Sequence, residues 1–270
     1  SRACLAEGDW DGAFKAAKRV IDEGGYAVGT KSDLTGGMNS LDKQNVMWGA
    51  GIQVADQAGG YAGFFTHMDN KEGAYAKSAP KLISKQLYNR ISATDIRRDW
   101  WDPSDKESPY VSKKFSFANV ASFLGDYIYM RVEEMYFTAA EAALRLDDLK
   151  SARELMNTVM AERDPGYSAN NRSGTLLGAT TTTWTGSFLE NILTHRRIEL
   201  WGEYGRLFDV RRLGQGIDRR TDDGFSEECI SMMNRRNVNI TKADTYDWVL
   251  TIPKAELDAN PNINEEDQNP

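Results

Sequence analysis

Histidine and cysteine are scarce in this chain, with two of each in 270 residues. Cys4 and Cys229 cannot build a disulfide framework. His67 and His195 leave little for metal or nucleophilic chemistry, and the patterns H-E-x-x-H, G-x-S-x-G, G-x-x-x-x-G-K-S/T and C-x-x-C are missing. The run Asp218–Asp223 lacks the glycine that a Ca²⁺ loop needs at its sixth position. Neither a metal nor another cofactor is expected. No apolar run reaches the ~18 residues of a membrane-spanning helix. Positive charge is also short: the formal net charge is −7. Phosphate backbones need compensating Lys and Arg, so nucleic acid is not the expected partner. The simple electrostatic case for anionic lipid fails for the same reason.

What remains is a globular composition, 40% hydrophobic and 27% charged. Val132, Met135, Tyr136, Ala139, Ala143 and Leu146 recur at helical spacing. Asp147-Asp148 interrupts them, and Ala152, Leu155, Met156 and Val159 resume the period. So short a turn makes the two helices antiparallel neighbours. Alanines at 139, 140, 142, 143 and 152 let the backbones approach closely. A second copy occurs near the start: Leu5, Asp9, Ala13 and Val20 correspond to Leu144, Asp148, Ala152 and Val159, each 139 positions apart. That offset is too long for a tandem solenoid and implies two helical pairs separated by a large insertion.

The first pair stops at Gly24-Gly25. Residues 25–130 read as a loop-rich insertion. Within it, Asn45–Trp48 suits a short buried strand or turn, and Pro80 opens a short helix carrying Leu82, Ile83, Leu87 and Tyr88. Extended segments are expected across 109–130. A polar, Thr-rich connection fills 164–186. Ser187-Phe188-Leu189-Glu190 has the form of a capping box, opening a helix to about Glu203. Residues 214–247 are polar and irregular, and the tail has one short helical turn.

The last long helix and its sequel carry Arg196, Arg197, Glu199, Glu203, Arg206, Asp209, Arg211 and Arg212. Arg196 and Glu203 share a stripe with Leu189, Ile192, Leu193 and Leu200, so both are expected to face the core. Buried charges must be paired. A structural ion-pair network is therefore the better reading, ahead of a catalytic cluster. His195 is expected to cap or pack on that helix. Asp222-Asp223 and Glu265-Glu266-Asp267 read as solvated faces rather than acid/base pairs.

Aromatic residues are the remaining signal. Trp48, Tyr61, Phe64, Phe65, Tyr75, Trp100, Trp101 and Trp184 lie in or beside glycine-rich or polar loops. A ring offers a flat, electron-rich face on which the C–H face of a sugar can stack. Trp48, in an apolar run, is expected to pack in the core. Tyr61, Phe64, Phe65 and Tyr75 stand evenly between packing and binding, and of Trp100-Trp101 one ring is expected outside. The ligand site is placed on the loop from Asp56 to Tyr75. Its stacking candidates are Tyr61, Phe64, Phe65 and Tyr75, its polar contacts are Asp56, Gln57, His67 and Asn70, and Trp100 is a further candidate.

The block Arg196-Arg197-Ile198-Glu199-Leu200 through Phe208-Asp209-Val210-Arg211-Arg212 resembles a signature of the SusD/RagB family, surface glycan-binding lipoproteins of Gram-negative bacteria. So do the small-residue hairpin at 131–163, the Pro80-led helix followed by Asp95-Ile96-Arg97, and the closing Ile252-Pro253 and Gln268-Asn269-Pro270. The resemblance implies a mainly α fold of tetratricopeptide-like pairs with long irregular loop insertions, forming a single domain over 1–270. It implies a non-catalytic glycan-binding protein at the outer-membrane surface, partnered by a TonB-dependent transporter. In the family the glycan site uses loop aromatics from regions broadly like 50–80, but no motif matches residue by residue. The family's N-terminal portion has no counterpart here. Cys4 falls inside a helical pattern, no signal peptide is read, and the chain is expected to lack its N-terminal portion and the lipid anchor. A helical-repeat protein-binding scaffold and a glycoside hydrolase are the alternatives.

Overall fold

Two helical pairs related by the 139-residue offset pack together, and the main core draws on the second helix of the first pair, both helices of the second and the helix Phe188–Glu199. The computed structural model describes residues 1–56, 63–217 and 250–268. Helices α1 (Arg2–Glu7) and α2 (Trp10–Glu23) form the first pair. The insertion follows, with α3 (Lys31–Thr35), β1 (Val46–Ala50), α4 (Phe64–Met68), α5 (Ala74–Ser78), α6 (Lys85–Tyr88), a 3₁₀ turn at Ile96–Trp100, β2 (Trp101–Asp102), β3 (Val111–Ser112) and β4 (Tyr127–Arg131). The second pair is α7 (Val132–Arg145) and α8 (Leu149–Ala161), followed by α9 (Phe188–Glu199), α10 (Arg206–Arg212) and α11 (Lys254–Ala259).

The repeat extends to its turns. Asp9 caps α2 by accepting from the Gly12 N–H at 2.9 Å, and Asp148 caps α8 by accepting from the Ser151 N–H at 3.0 Å. The residue before each cap is left-handed: Gly8 at φ 78° and Asp147 at φ 61°. Asp is one of the few non-glycine residues that tolerates this region. Losing such a cap typically costs about 1 kcal/mol. Asp148→Ala is therefore expected to lower the unfolding free energy by roughly that amount in urea titration. An unchanged midpoint would show that α8 is held by packing alone.

Helix α7 is central. Every residue of it except Tyr136 and Arg145 is buried, because α2, α8 and α9 all pack on it. Ala17, Ala139, Ala140, Ala143 and Ala152 are all buried in the core that these helices share. A second core lies in the insertion, where Leu34, Phe65, Leu87, Trp100, Trp101 and Phe115 close on Ile198 of α9. The insertion is therefore packed against the helical scaffold, not merely looped out from it.

Four local expectations need correction. Trp48 is 60% exposed rather than in the core. Side chains alternate along a strand, and in Val46-Met47-Trp48 it is Met47 that packs against the helical core. Both Trp100 and Trp101 are buried, whereas one was expected outside. Helix α9 stops at Glu199, and Gly202 and Gly205, at φ 74° and 87°, turn the chain before Glu203 can continue it. The box at its start is only half formed. Ser187 Oγ accepts from the Glu190 N–H at 3.1 Å, but the Glu190 carboxylate reaches further back, to the Gly186 N–H at 2.8 Å and the Thr185 N–H.

The tail closes on itself. Gln268 Oε1 accepts from the Ile252 N–H at 2.7 Å while its Nε2 donates to the Ile252 carbonyl at 2.9 Å. The two ends of the closing motif thus clip together. Most of the 214–247 stretch, including Asp222-Asp223 and Cys229, lies outside the described residues.

Candidate functional site

Glu199 is the hub of the charge cluster. Its carboxylate accepts from Arg97 Nη1 at 3.1 Å, Arg131 Nη1 at 2.9 Å, and Arg163 Nε and Nη2 at 3.0 and 3.1 Å. All four side chains are fully buried. Asp95 pairs with Arg97 at 2.6 Å, and Glu133 with Arg163 at 2.8 Å. Glu203 takes Arg131 at 2.7 Å and Lys114 at 2.5 Å. The cations Arg97, Lys114, Arg131 and Arg163 are thus matched by the carboxylates Asp95, Glu133, Glu199 and Glu203. A second network joins Arg196 to Asp209 and Glu134, and Arg212 to Asp209 and Glu141.

Burial by itself would raise the Glu199 carboxyl, but Arg163, Arg131 and Arg97 outweigh it and hold the group well below the usual carboxylate range. Glu203 and Asp209 are lowered against burial in the same way, by Arg131 with Lys114 and by Arg196 with Arg212. His195 is pushed well below its ordinary value by burial and by the adjacent Arg97. It is a neutral core residue whose Nδ1 lies 2.8 Å from Arg97 Nη2. These groups tie the insertion to α7, α8 and α9. Sequence reading placed Arg196, Glu199 and Glu203 in such a network but missed Arg97, Lys114, Arg131 and Arg163, the distant cations that make Glu199 its centre.

The residues expected on the ligand loop divide. Tyr61 and Gln57 lie outside the described residues. Phe65 and Trp100 are each only 2% exposed and present no face to a ligand, because both belong to the insertion core. The Trp100 Nε1–H donates to the Leu34 carbonyl at 2.9 Å. Asn70 is structural: its Nδ2 donates to the Ser112 carbonyl and its Oδ1 accepts from the Lys81 N–H, both at 2.8 Å. Phe64 is half-buried among Phe65, Phe115 and Tyr127. Asp56 is exposed and accepts from the Gln53 N–H at 2.8 Å. His67 is exposed and stacks flat on Tyr75, with centroids 4.5 Å apart and planes 4° apart.

Sequence reading missed one exposed ring pair. Strands β1 and β4 are antiparallel, and Asp126 holds β1 by accepting from the Leu41 N–H at 3.0 Å and the Ile52 N–H at 3.1 Å. On this ribbon Trp48 and Tyr129, 60% and 42% exposed, meet edge to face at 5.1 Å. Tyr129 shares a strand face with Tyr127, two positions away. The Tyr127 hydroxyl accepts from the Phe64 N–H at 3.3 Å. The His67–Tyr75 loop is thereby anchored to the sheet that carries the exposed pair. Val46-Met47-Trp48 and Tyr127-Ile128-Tyr129 are apolar or aromatic throughout, so no alternation in the sequence said which parity would face outward.

Among the described residues no group of three His, Cys, Asp or Glu is placed to hold a metal ion, and no helix is long and apolar enough to cross a membrane.

Comparisons with known proteins agree with this architecture. A SusD-like carbohydrate-binding protein from Bacteroides vulgatus is 26% identical, with a TM-score of 0.63 over 80% of this chain and 44% of its own. A SusD superfamily protein from Bacteroides thetaiotaomicron, 23% identical, superposes on the whole chain and 58% of its own, with a TM-score of 0.74. Surface glycan-binding protein A from Bacteroides uniformis shares the fold at 19% identity and a TM-score of 0.58, over 98% of this chain and 58% of its own. The chain thus spans about half the length of the structures it matches. No curated protein matches. The model of the SusD family matches residues 102–270, well over half of the sequence, and the chain belongs to that family.

Proposed function

We propose that this protein binds glycans at the bacterial outer-membrane surface and hands them, uncleaved, to a TonB-dependent transporter. The observation that carries the reading is the exposed Trp48–Tyr129 pair on a strand ribbon held by Asp126. Rings fixed in this way stack on sugar without first losing conformational freedom. His67 and Tyr75 form a second exposed ring pair, on the loop that is tied to β4 through Phe64 and Tyr127. Glycans remain hydrated when bound, so an open platform suits them.

The alternatives lose ground on specific residues. A hydrolase needs a protonated carboxyl and a second carboxylate across a cleft, whereas Glu199, Glu203 and Asp209 are all ion-paired and held below the usual carboxylate range. A scaffold needs a groove between helical pairs, but α7 already fills the space between α2 and α8.

Loss of a stacking ring commonly costs more than ~1 kcal/mol of binding free energy, about fivefold in affinity. Trp48→Ala and Tyr129→Ala are therefore each expected to weaken binding of the best oligosaccharide by at least that factor, with circular dichroism unchanged. Calorimetry on a glycan-array hit provides the test. Wild-type affinity in both variants would remove the platform, and release of reducing ends from the bound glycan would remove the non-catalytic reading. Copurification of a TonB-dependent transporter from native membranes tests the hand-over.

A further inference from the structure

A cavity of about 960 Å³ lies away from the sheet platform, between the α6 region and the turn that follows α9. Neither Trp48 nor Tyr129 lines it. Its size falls in the range of ligand pockets, roughly 300–1,000 Å³. Leu200 and Trp201 give it an apolar wall, and its polar edge mixes Ser108, Glu203 and Asp209 with Arg196, Arg197 and Arg206.

The turn from Trp201 to Gly205 is held before any ligand arrives. Lys114 Nζ donates to the Glu199 and Trp201 carbonyls at 2.7 and 2.8 Å. Arg131 Nε and Nη2 grip the Glu203 carboxylate at 2.8 and 2.7 Å. The Trp201 ring stands edge-on to Trp101 at 5.9 Å and nearly parallel to Phe115 at 6.5 Å. Gly202 permits this closeness: its φ is +74°, and a Cβ there would meet Phe115 Cε2 at 2.6 Å and Met68 Cε at 2.8 Å. The result is an anchored indole beside carboxylates fixed by ion pairs.

We propose that this cavity is a second carbohydrate site, taking a neutral oligosaccharide with its C–H face on Trp201 and its hydroxyls donating to Glu203 and Asp209. The chemistry follows from the lining. An apolar wall alone would suit a hydrophobic ligand, but pre-positioned carboxylates reward a ligand that brings hydroxyl donors on its opposite edge. The proposal rests on the glycan-binding reading and adds a site to it.

The test is calorimetry with maltohexaose, cellohexaose, xylohexaose and mannohexaose on the Trp48→Ala/Tyr129→Ala double variant. At least one hexasaccharide is expected still to bind. Adding Ser108→Trp, which puts an indole into the cavity, is expected to weaken that residual binding about fivefold or more. Ser108 uses its backbone for its bonds to Asp105 and Val111, so the substitution keeps them. Trp201→Leu provides a second variant, judged alongside its melting curve. Residual binding unchanged in both variants overturns the cavity site. Complete loss of binding in the double variant overturns the cavity site while leaving the sheet platform intact. Failure of the native protein to bind any hexasaccharide overturns both. An apolar dye displaced by Ser108→Trp but by no sugar assigns the cavity to a hydrophobic ligand and overturns the carbohydrate assignment.

Discussion

Glu199→Ala is expected to destabilise the protein by ~3–5 kcal/mol, the usual cost of removing one partner from a buried ion pair. That is a large part of the 5–15 kcal/mol by which folded domains typically exceed the unfolded chain. The reason is the charge left behind. Arg97, Arg131 and Arg163 all direct N–H groups at this carboxylate, and none of the three reaches solvent. Asp95 and Glu133 would retain Arg97 and Arg163, but the local balance would move to excess positive charge in a low-dielectric interior. Urea unfolding followed by circular dichroism gives the value, and low soluble yield would point the same way. Glu199→Gln keeps acceptor and volume but not charge, so it should fall between the two. If Glu199→Ala unfolds within about 0.5 kcal/mol of wild type, the range of a neutral surface change, the network is not what joins the insertion to the helices.

Acid unfolding should be the second large effect. Glu199, Glu203 and Asp209 all have folded pKa values below their ordinary 4.5, 4.5 and 3.8. In the folded protein they hold their charge to lower pH than in the unfolded chain. Below pH 4.5 the unfolded chain therefore takes up protons first, and stability falls as pH falls. Their contribution is fully present above the ordinary values and is lost as pH drops through the folded ones, furthest down for Glu199. Lys114 acts on the alkaline side: burial pushes it down from 10.5 to about 8. Between these values the folded protein gives up its proton first, so this residue adds stability as pH rises. Melting temperatures from pH 2 to 9 should show a steep acid limb and no loss between pH 8 and 9. A flat acid limb would mean that these carboxylates are not ion-paired in the folded state.

The helical pairs and their 139-residue echo were legible in the sequence because a hairpin is encoded locally. Apolar spacing, small residues and a capping Asp within some 30 residues specify α7 and α8, and the same set specifies α1 and α2. Arg196 was legible as a buried cation because it sits on an otherwise apolar stripe. The family signature was legible for a related reason: its charged block is one contiguous segment.

The loop from Asp56 to Tyr75 was less legible. Gly-rich composition located a segment with two exposed rings in contact, His67 and Tyr75, but it could not separate them from Phe65 and Trp100, which the insertion core absorbs. Tertiary structure alone decided the rest. Glu199 became the hub only when Arg97, Arg131 and Arg163, separated from it by 36 to 102 positions, converged on one buried point. Trp48 faced outward only because pairing of β1 with the distant β4 gave the inner face to Met47. Local pattern establishes that a residue has two faces or a charge to satisfy. Which face is covered, and which partner satisfies the charge, depends on segments that meet only after the chain has folded.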